Sequence, residues 1–453
     1  MIILQDINLL TEDVIRRVVK NHKMNELPRL QMLEDYYLAK NEILNRVMTD
    51  PSKPNNKIAN PYASYITDTL TGYFIGKPIT YTSNDEKALE ELNLIFEYND
   101  EADENAELAK SASIYGVAYE MIYMTEDEVR FKALDTKGCI PIFDGSIENN
   151  LIAFIRYYTD YDIVEDKEYT IIEVINDKEV IRYKTNESIS SFVLLETYEH
   201  YLNMVPIAIY KNNEEQTGDF ENIISLIDAY DKLESDSLND FEYFVDAYLA
   251  LYGFTADSND VRQMKENRVL LMDEGTKAEW LIKQTSDANI ENIKNRIDAD
   301  IHKFAKCPNM ADKEFASNSS GVAIKYKLLG TENKIAIKER KFKRGLQQRI
   351  ELLANVKGVL SDGFDWRSID IIFTRNIPAN DADIANMVNT LSDIVSKETL
   401  LAQIPFVEDV QAELERVKAE KKENPFYQTA IGYQTGAMET EEEEEEGLVE
   451  NEL

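Results

Sequence analysis

The feature that most constrains the fold is a change in the spacing of the hydrophobic residues along the chain. Before residue 117 and after residue 218, apolar residues recur every three or four positions, which is typical of amphipathic helices. Between residues 117 and 211 they fall instead in short β-branched and aromatic segments, such as "VAYEMIYM", "YTIIEVI" and "FVLLETY", with turn residues between most of them. We therefore predict an α+β protein with a mostly antiparallel sheet inside an otherwise helical chain.

Two long helices are predicted in the second half of the chain, on either side of a short insert. The first covers residues 219–252, carries apolar residues at helical spacing and ends at Gly253. The second covers residues 287–305, with Asp287 as its N-cap. The insert between them, residues 253–286, contains two short strand candidates, "RVLLM" and "AEWLIKQ".

The segment "KFAKCPNMADKEFASNSSGVAIKYK", Lys303 to Lys327, interrupts the helical pattern with polar, small and flexible residues. A segment of this length without secondary structure is more often functional or disordered than a plain connector. The alternative is a surface loop that contacts nothing. After it the pattern predicts a long helix that Gly330 and Thr331 could break, then a strand, "SIDIIF", and helices over about 381–395 and 406–423.

The charge of the chain is strongly acidic and unevenly distributed. There are 85 acidic and 49 basic residues, which gives a formal net charge of −36 at pH 7. Nine glutamates and no basic residue lie between Glu439 and Leu453, and their mutual repulsion predicts a disordered tail. Because a protein that grips DNA phosphates normally has a basic surface, the net charge argues against a DNA clamp. One segment, Lys325 to Arg349, is basic, with nine basic and two acidic residues.

The sequence has no arrangement of residues typical of an enzyme. The stretch "TGYFIGKPITY" resembles a phosphate-binding loop, but Gly72 and Gly76 enclose three residues instead of four, and Pro78 stands where a hydroxyl would bind magnesium. The three histidines share no metal-ligand spacing, and Cys139 and Cys307 form no CxxC pair. We predict no catalytic activity, no cofactor and no metal. No apolar run is long enough to cross a membrane, so a soluble protein of a reducing compartment is expected.

Four blocks of the sequence together resemble a known family. They are "NPYASYITDTLTGYFIGKPITY", "SASIYGVAYEMIYM…VRFKALDTKG", "DIHKFAKCPNM…FASNSSGVAIKYKLLGTENKIAIKERKF" and "IDIIFTRNIPANDADIANMVNTLSDIVSKETLL". In this order, over roughly residues 25–425, they resemble the portal proteins, or head-to-tail connectors, of tailed double-stranded-DNA phages. The similarity is greatest to the branch found in long-tailed phages of Gram-positive bacteria.

The resemblance implies a dodecameric ring at one vertex of the capsid, with double-stranded DNA packaged and later ejected along its axis. Family subunits have a mixed α/β wing, a stem of two helices, a small α/β clip and a C-terminal helical crown. The implied division of this chain is wing 1–218, first stem helix 219–252, clip 253–286, second stem helix 287–305, tunnel loop 306–322, long wing helix and strand 323–374, crown 375–425 and acidic tail 426–453.

The resemblance also implies partners and a location. The partners are further copies of the chain, the terminase large subunit at the clip, a head-completion or connector protein, and the major capsid and scaffolding proteins. The location is the portal vertex of the virion, with assembly in the host cytoplasm and no membrane contact. The alternative function is a non-viral acidic scaffold or adaptor without catalytic activity, which explains the charge but not two long helices that flank a small insert.

Two sets of residues are candidates for the channel of such a ring. A loop that reaches the axis has no core to pack on and must be polar; its candidates are Asn309, Lys313, Glu314, Asn318, Ser319 and Ser320. Carboxylates on the first stem helix would repel phosphates and keep the duplex centred; these candidates are Asp228, Asp231, Asp236, Asp240 and Glu242. Two alternatives remain open: the acids could be solvated on an outer face, or they could pair with Lys294, Arg296 and Lys303 of a neighbouring subunit.

The basic segment has two candidate roles. Its residues are Lys334, Lys338, Arg340, Lys341, Lys343 and Arg344. They could contact packaged DNA, or they could neutralise the acidic surface of the adjoining subunit when the ring closes. We favour the contact between subunits because acidic subunits would otherwise repel one another.

Overall fold

The structure is a computed structural model in which the chain divides into two units. It describes residues 2–51, 53–125, 128–164, 166–244, 248–252, 277–281, 287–310, 326–356, 364–376, 381–404 and 410–423, with residues 257, 259, 262, 360 and 407. The first unit comprises residues 1–319 and 324–376, and the second comprises residues 320–323 and 377–453.

Helices form the N-terminal part of the first unit. They are α1 (Glu12–Asn25), α2 (Leu27–Tyr37), α3 (Tyr62–Ile75), α4 (Glu86–Tyr98) and α5 (Glu101–Tyr115). Proline at the start of α2 suits its first turn, where the missing N–H is not needed. The spacing of apolar residues predicts one helix over 26–47, but α2 ends at Tyr37, and Ala39 has a φ of 56°. The chain then turns, and Asn41 reaches a later helix, described below.

The predicted antiparallel region folds as two sheets rather than one. Their strands are β1 (Ile2–Ile3), β3 (Val117–Met124), β4 (Val129–Leu134), β5 (Cys139–Phe143), β6 (Leu151–Asp162), β7 (Lys167–Ile175), β8 (Glu179–Thr185), β9 (Phe192–Glu199) and β10 (Ile207–Lys211). One sheet has the order β1-β5-β6-β7-β8-β9 and the other the order β10-β3-β4. All pairs are antiparallel except β1 with β5.

The two sheets and α1 form layers. Val117 and Tyr119 of β3 belong to the same buried cluster as Phe154 of β6. On the other side of the six-stranded sheet, Ile15 and Val19 of α1 belong to a second cluster with residues of β5, β6 and β7. Alternating burial along these strands therefore places one sheet between a helix and a second sheet.

A pair of helices with a two-stranded sheet between them follows the layered part of the chain. The elements are α6 (Ile224–Phe244), β11 (Tyr248–Tyr252), β12 (Lys277–Leu281) and α7 (Asp287–Ala305); we call them the helical hairpin. β11 and β12 are antiparallel. The first helix is shorter than predicted, because the aromatic and aliphatic run Tyr248–Tyr252 pairs with β12 instead of extending the helix to Gly253. Strand candidate "RVLLM" lies outside the described residues.

The two helices of the hairpin run in opposite directions. Glu234 of α6 pairs with Lys294 of α7 at 3.2 Å. Four residues earlier in α6, Tyr230 packs edge-on against Tyr62, whose hydroxyl donates to Asp298 of α7 at 2.7 Å. An earlier residue of α6 thus lies beside a later residue of α7, so the two helices are antiparallel.

The main core of the first unit forms around a long helix, α8 (Leu329–Asn355). The helix continues through Gly330 and Thr331 without the break that the sequence allowed. Its Phe342 stacks edge-on with Phe74 of α3 and lies against Tyr210 of β10. A strand, β13 (Asp370–Ile372), pairs antiparallel with β2 (Thr80–Thr82).

The second unit contains the C-terminal helices. They are α9 (Asp381–Leu391), α10 (Lys397–Leu401) and α11 (Val410–Glu423). The hydroxyl of Ser396 caps α10 by accepting from the N–H of Thr399 at 3.3 Å. The helix predicted over 381–395 is shorter in the structure, because α9 ends at Leu391. The Glu-rich tail lies outside the described residues.

Candidate functional site

The candidate residues lie on three elements: the segment after α7 and the acidic helix α6, both proposed for the channel, and the basic helix α8, proposed for contact with another subunit or with DNA. Asn309 is the described member of the loop set, and its side-chain amide donates to Asp298 at 3.4 Å. The other members, Lys313, Glu314, Asn318, Ser319 and Ser320, lie outside the described residues.

The chain is held firmly where it leaves α7 and enters that loop. The hydroxyl of Tyr65 in α3 donates to the carbonyl of Pro308 at 3.1 Å and accepts from the N–H of Met310 at 2.9 Å. The hydroxyl of Thr331 in α8 donates to the carbonyl of Lys306 at 2.8 Å. The first residues of the loop are therefore fixed to both α3 and α8.

The acidic residues of α6 differ in what surrounds them. Asp231 is fully buried, and Asp228 accepts a hydrogen bond from the hydroxyl of Tyr36 at 2.5 Å. Asp236 is half exposed and pairs with Arg46 at 2.7 Å. Of the remaining two candidates, Asp240 is partly exposed and Glu242 is exposed.

Asp231 belongs to a row of side chains on α6 that bind an extended segment of the same subunit. Its carboxylate accepts from the N–H of Asn60 at 2.9 Å, and Ser235 accepts from the N–H of Ile58 at 2.9 Å. The side-chain oxygen of Asn239 accepts from the N–H of Asn56 at 2.7 Å. We call the three α6 residues the α6 ladder.

The α6 ladder works because two regular spacings match. Its members are four residues apart on the helix, a rise of about 6 Å. The N–H groups that they bind are two residues apart, which in an extended chain is about 6.6 Å. The segment from Asn56 to Asn60 can therefore lie along the helix with each inward N–H satisfied.

The groups around Asp231 show that, contrary to the prediction from the sequence, it does not face the channel. Asn41 and Asn60 also donate side-chain N–H groups to this carboxylate, at 2.5 and 2.8 Å. Burial raises the pKa of Asp231, and the hydrogen bonds from the two asparagines offset part of that effect. A fully buried carboxylate that is bound by neutral groups of its own subunit is not a channel-facing charge.

The basic helix α8 is also largely neutralised within the subunit. Lys338 is 2% exposed and pairs with the buried Asp219 at 2.8 Å. Lys334 pairs with the same carboxylate at 3.1 Å and donates to the carbonyl of Ala305, at the end of α7, at 2.9 Å. The prediction that Lys338 faces DNA or another subunit is therefore wrong, because a buried ammonium requires its counter-charge nearby.

Asp219 is strongly held in its charged form. Burial alone would raise its pKa, but Lys338 and Lys334 outweigh that effect and hold the pKa well below its ordinary value. Ser113 and Asn212 donate further hydrogen bonds to it, at 2.5 and 3.0 Å. The carboxylate thus links α5, α8 and the approach to α6 at one buried point.

The remaining basic candidates divide into two pairs. Lys341 forms an ion pair with Glu214, and Lys343 donates to the carbonyl of Ile371 at 3.2 Å. Arg340 and Arg344, one turn apart, are exposed and form no ion pair with any residue that the structure describes. They are the part of the basic segment that is free to meet a partner.

Sequence reasoning missed a second buried ion cluster. Arg349 of α8 is fully buried, contacts Glu120 of β3 at 2.7 Å and lies 3.2 Å from Glu101 of α5. Its guanidinium lies over the ring of Phe131, 4.4 Å from the centroid. The sequence does contain a signal, because Arg349 falls on the apolar stripe of its helix, next to Ile350.

The described residues offer little for catalysis. They contain no cluster of three or more histidine, cysteine or acidic side chains that could hold a metal ion. Burial raises the pKa of the Cys307 thiol to about 12, so it is a poor nucleophile near neutral pH. Among the helices described, none is long and apolar enough to cross a membrane.

Comparison with known proteins gives consistent matches over most of the chain. A family model described as "Phage portal protein, SPP1 Gp6-like" matches residues 16–425. The portal protein of Clostridium phage phiCD119 is 25% identical over 417 residues, which cover 86% of this chain and 91% of that protein. The portal protein of Bacillus phage SPP1 is 24% identical, and the match covers 90% of this chain and 86% of that protein.

Proposed function

The chain belongs to the SPP1 Gp6-like family of phage portal proteins, and we propose that twelve copies of it close into a ring at one capsid vertex. Double-stranded DNA passes through this ring during packaging and again during ejection. The observation that carries the proposal is the family match over residues 16–425, which covers most of the chain rather than one motif.

The helical hairpin is the proposed stem and clip. Its helices α6 and α7 are antiparallel and enclose a two-stranded sheet, β11 with β12. This is the arrangement expected of two stem helices with a clip at their far end. The two sheets and α1–α5 form most of the proposed wing, and α9–α11 belong to the proposed crown.

The proposed ring depends on partners for energy and for completion of the particle. The terminase large subunit docks at the clip and drives packaging, and a head-completion or connector protein replaces it afterwards. The major capsid and scaffolding proteins contact the wing. Assembly takes place in the host cytoplasm before the protein is fixed at the portal vertex.

The burial of the acidic residues on α6 reduces the number that we propose to face the channel. Glu242 is the acid of α6 that we propose first for the channel, because it is exposed. Asp240 is only partly exposed, and Asp228 and Asp236 each have a donor in their own subunit, so these three are weaker candidates. The tunnel loop remains the segment after α7, residues 306–322. Carboxylates at these places would repel the DNA phosphates and keep the duplex away from the wall.

The contact between subunits is proposed to use Arg340 and Arg344. Both are exposed, and in a chain of net charge −36 a neighbouring subunit offers mainly acidic surface. Replacing both with glutamate should weaken ring formation, and a compensating acid-to-lysine change on the partner surface should restore it. If the double variant forms normal rings but binds DNA more weakly, these arginines serve DNA instead.

Native mass spectrometry with electron-microscope class averages tests the function directly. A closed ring of about a dozen copies, with a hole at least about 20 Å wide to admit duplex DNA, is the expected result. A monomer or dimer that persists over a series of salt and protein concentrations would favour the acidic scaffold instead.

A further inference from the structure

The edge strands β4, β10 and β9 differ in whether their outward N–H and carbonyl groups form hydrogen bonds. On β4, the N–H of Phe131 donates to Asn99 at 3.3 Å and the N–H of Ala133 donates to Glu104 at 2.9 Å. On β10, Gln348 of α8 accepts from the N–H of Ile209 at 3.2 Å and donates to the carbonyl of Ile207 at 3.0 Å. Both edges of the three-stranded sheet are therefore closed by side chains of nearby helices.

The β9 edge of the six-stranded sheet is open. β9 spans eight residues, Phe192–Glu199, and pairs with β8 on one side. No described residue of this chain forms a hydrogen bond with its outward N–H or carbonyl groups. The register with β8 shifts at Leu195, since Glu196 lies opposite Arg182 and Leu194 lies opposite Tyr183. The open edge on either side of this irregularity is a template for another strand.

The side chains on β9 add an apolar surface to this edge. Val193 and Leu194 are each 58% exposed, Leu195 is 48% exposed and Tyr198 is 44% exposed. On each side of the register shift at Leu195, successive residues point to opposite faces, so the exposed apolar groups flank the edge on both faces. Exposed apolar groups concentrated in this way usually mark a site of interaction.

The charged residues of β9 indicate what kind of strand would fit. Glu196 and Glu199 are exposed, and the strand contains no lysine or arginine. Glu196 already pairs with Arg182 of β8, whereas Glu199 forms no ion pair with a described residue. A complementary strand would therefore carry basic residues between its apolar ones.

We propose that the β9 edge is a docking site at which an extended segment of another protein, with alternating apolar and basic residues, adds a seventh strand to the sheet. Main-chain hydrogen bonds would supply the geometry of the contact. The exposed apolar side chains and Glu199 would select the sequence.

The geometry disfavours a second copy of this chain as the occupant. Two β9 edges would join two strands that each carry Glu196 and Glu199 and no basic residue, and like charges brought close together are destabilising. A ring contact joins two different surfaces, and the other edge of this sheet is β1, which has only two residues. The proposal is independent of the channel function, because it requires only the six-stranded sheet.

Peptide binding to the full-length protein tests the proposal. The probe is a labelled eight-residue peptide of alternating valine and lysine. Its binding is measured by fluorescence anisotropy at physiological salt. We expect it to bind at least tenfold more tightly than the same peptide with glutamate for lysine, and at least tenfold more tightly than a version N-methylated at alternate residues. Hydrogen exchange should slow at residues 192–199 when the peptide is bound.

A charge reversal with a matched control separates this site from general attraction to an acidic protein. Glu199→Lys should remove the preference for the lysine peptide, whereas Glu168→Lys on β7, an exposed glutamate away from the edge, should leave it unchanged. Equal effects of the two variants, or equal binding of the N-methylated peptide, would overturn the proposal. It would also be overturned if residues 192–199 were already protected in the purified ring, because a second copy would then cover the edge.

Discussion

Helices α6 and α8 both carry charges that were expected to face outward, and in both the charge nearest the core is buried. Asp231 of α6 is bound by the neutral groups of Asn41 and Asn60. Lys338 of α8 is bound by an opposite charge, Asp219. Hydrogen bonds from neutral groups offset only part of the free-energy cost of burying a carboxylate. In a buried ion pair, by contrast, the loss of one partner is strongly destabilising, because the other charge is left buried alone. Two charged stripes of similar appearance can therefore differ greatly in what they contribute to stability.

The largest effect is expected from Asp219→Asn. The change leaves Lys338 buried without a counter-charge, and breaking a buried pair in this way typically costs about 3–5 kcal/mol. Urea unfolding of the purified protein, followed by circular dichroism at one fixed protein concentration, measures the loss.

The double variant Asp219→Asn with Lys338→Met is the control for this pair. It should be clearly more stable than the single Asp219→Asn variant, because it removes the stranded ammonium. If the two variants are equally unstable, the ion pair is not the source of the effect, and Ser113 or Asn212 must be considered instead.

The next effect is expected from Asn239→Ala in the α6 ladder. The variant removes the acceptor of the part-buried N–H of Asn56, and the expected loss is about 1 kcal/mol, the lower end of the cost of an unsatisfied buried donor. Hydrogen exchange should accelerate at residues 56–60 before the rest of the chain opens. Ser237→Ala is the matched control, since its hydroxyl donates within α6 to the carbonyl of Leu233. Equal exchange in the two variants would show that the ladder does not hold the segment.

The two buried carboxylates should also give opposite dependences on pH. The pKa of Asp219 is lowered, so its contribution is present above the ordinary value of 3.8 and is lost as the pH falls through the folded pKa. The pKa of Asp231 is raised, so its favourable protonated form is present below 3.8 and is lost as the pH rises through the folded pKa.

Asp231→Asn makes this difference measurable. The variant should gain stability relative to the wild type as the pH rises from 4 to 7, by about 1.4 kcal/mol for each unit of the pKa shift. The new amide can donate to the side-chain oxygen of Asn41, which has no hydrogen-bond partner among the described residues. Unfolding midpoints at several pH values test this. A gap between variant and wild type that does not change with pH would mean that Asp231 is not shifted.

The smallest effect is expected from Asp236→Asn. Its pair with Arg46 is half exposed on the acidic side, and exposed pairs contribute about 0–1 kcal/mol. The difference between variant and wild type should shrink further in 1 M salt, because exposed charges are screened there. A loss of more than about 2 kcal/mol in the free energy of unfolding would show that the Asp236–Arg46 pair behaves as a buried ion pair, like Asp219–Lys338, and not as an exposed one.

Much of the architecture was predictable because it depends on local spacing. The spacing of apolar residues predicted a helix at residues 287–305, which is α7, and strands across 117–211. The resemblance to phage portal proteins, drawn from four sequence blocks, is confirmed at the level of the family. The α+β class is likewise confirmed, whereas the division of the strands into two sheets was not foreseen.

The errors arose where a distant part of the chain decides the outcome. Residues 248–252 continue a helical pattern, but they form β11 because β12 lies beside them. Lys338 reads as one more charge in a basic run, yet it is buried because Asp219, more than one hundred residues earlier, supplies its counter-charge. Neither partner can be identified from spacing within a window of one helix.

The sequence by itself determined the family, through the resemblance of four sequence blocks. It also determined the α+β class, the acidic balance and the helix at 287–305, since these follow from composition and local periodicity. Only the tertiary structure decided which charges remain available to a partner. The reason is physical: a charge is either paired inside the subunit or solvated, and the choice depends on groups that folding brings within about 3 Å. By that test Arg340, Arg344 and Glu242 remain exposed, while Asp231 and Lys338 belong to the interior.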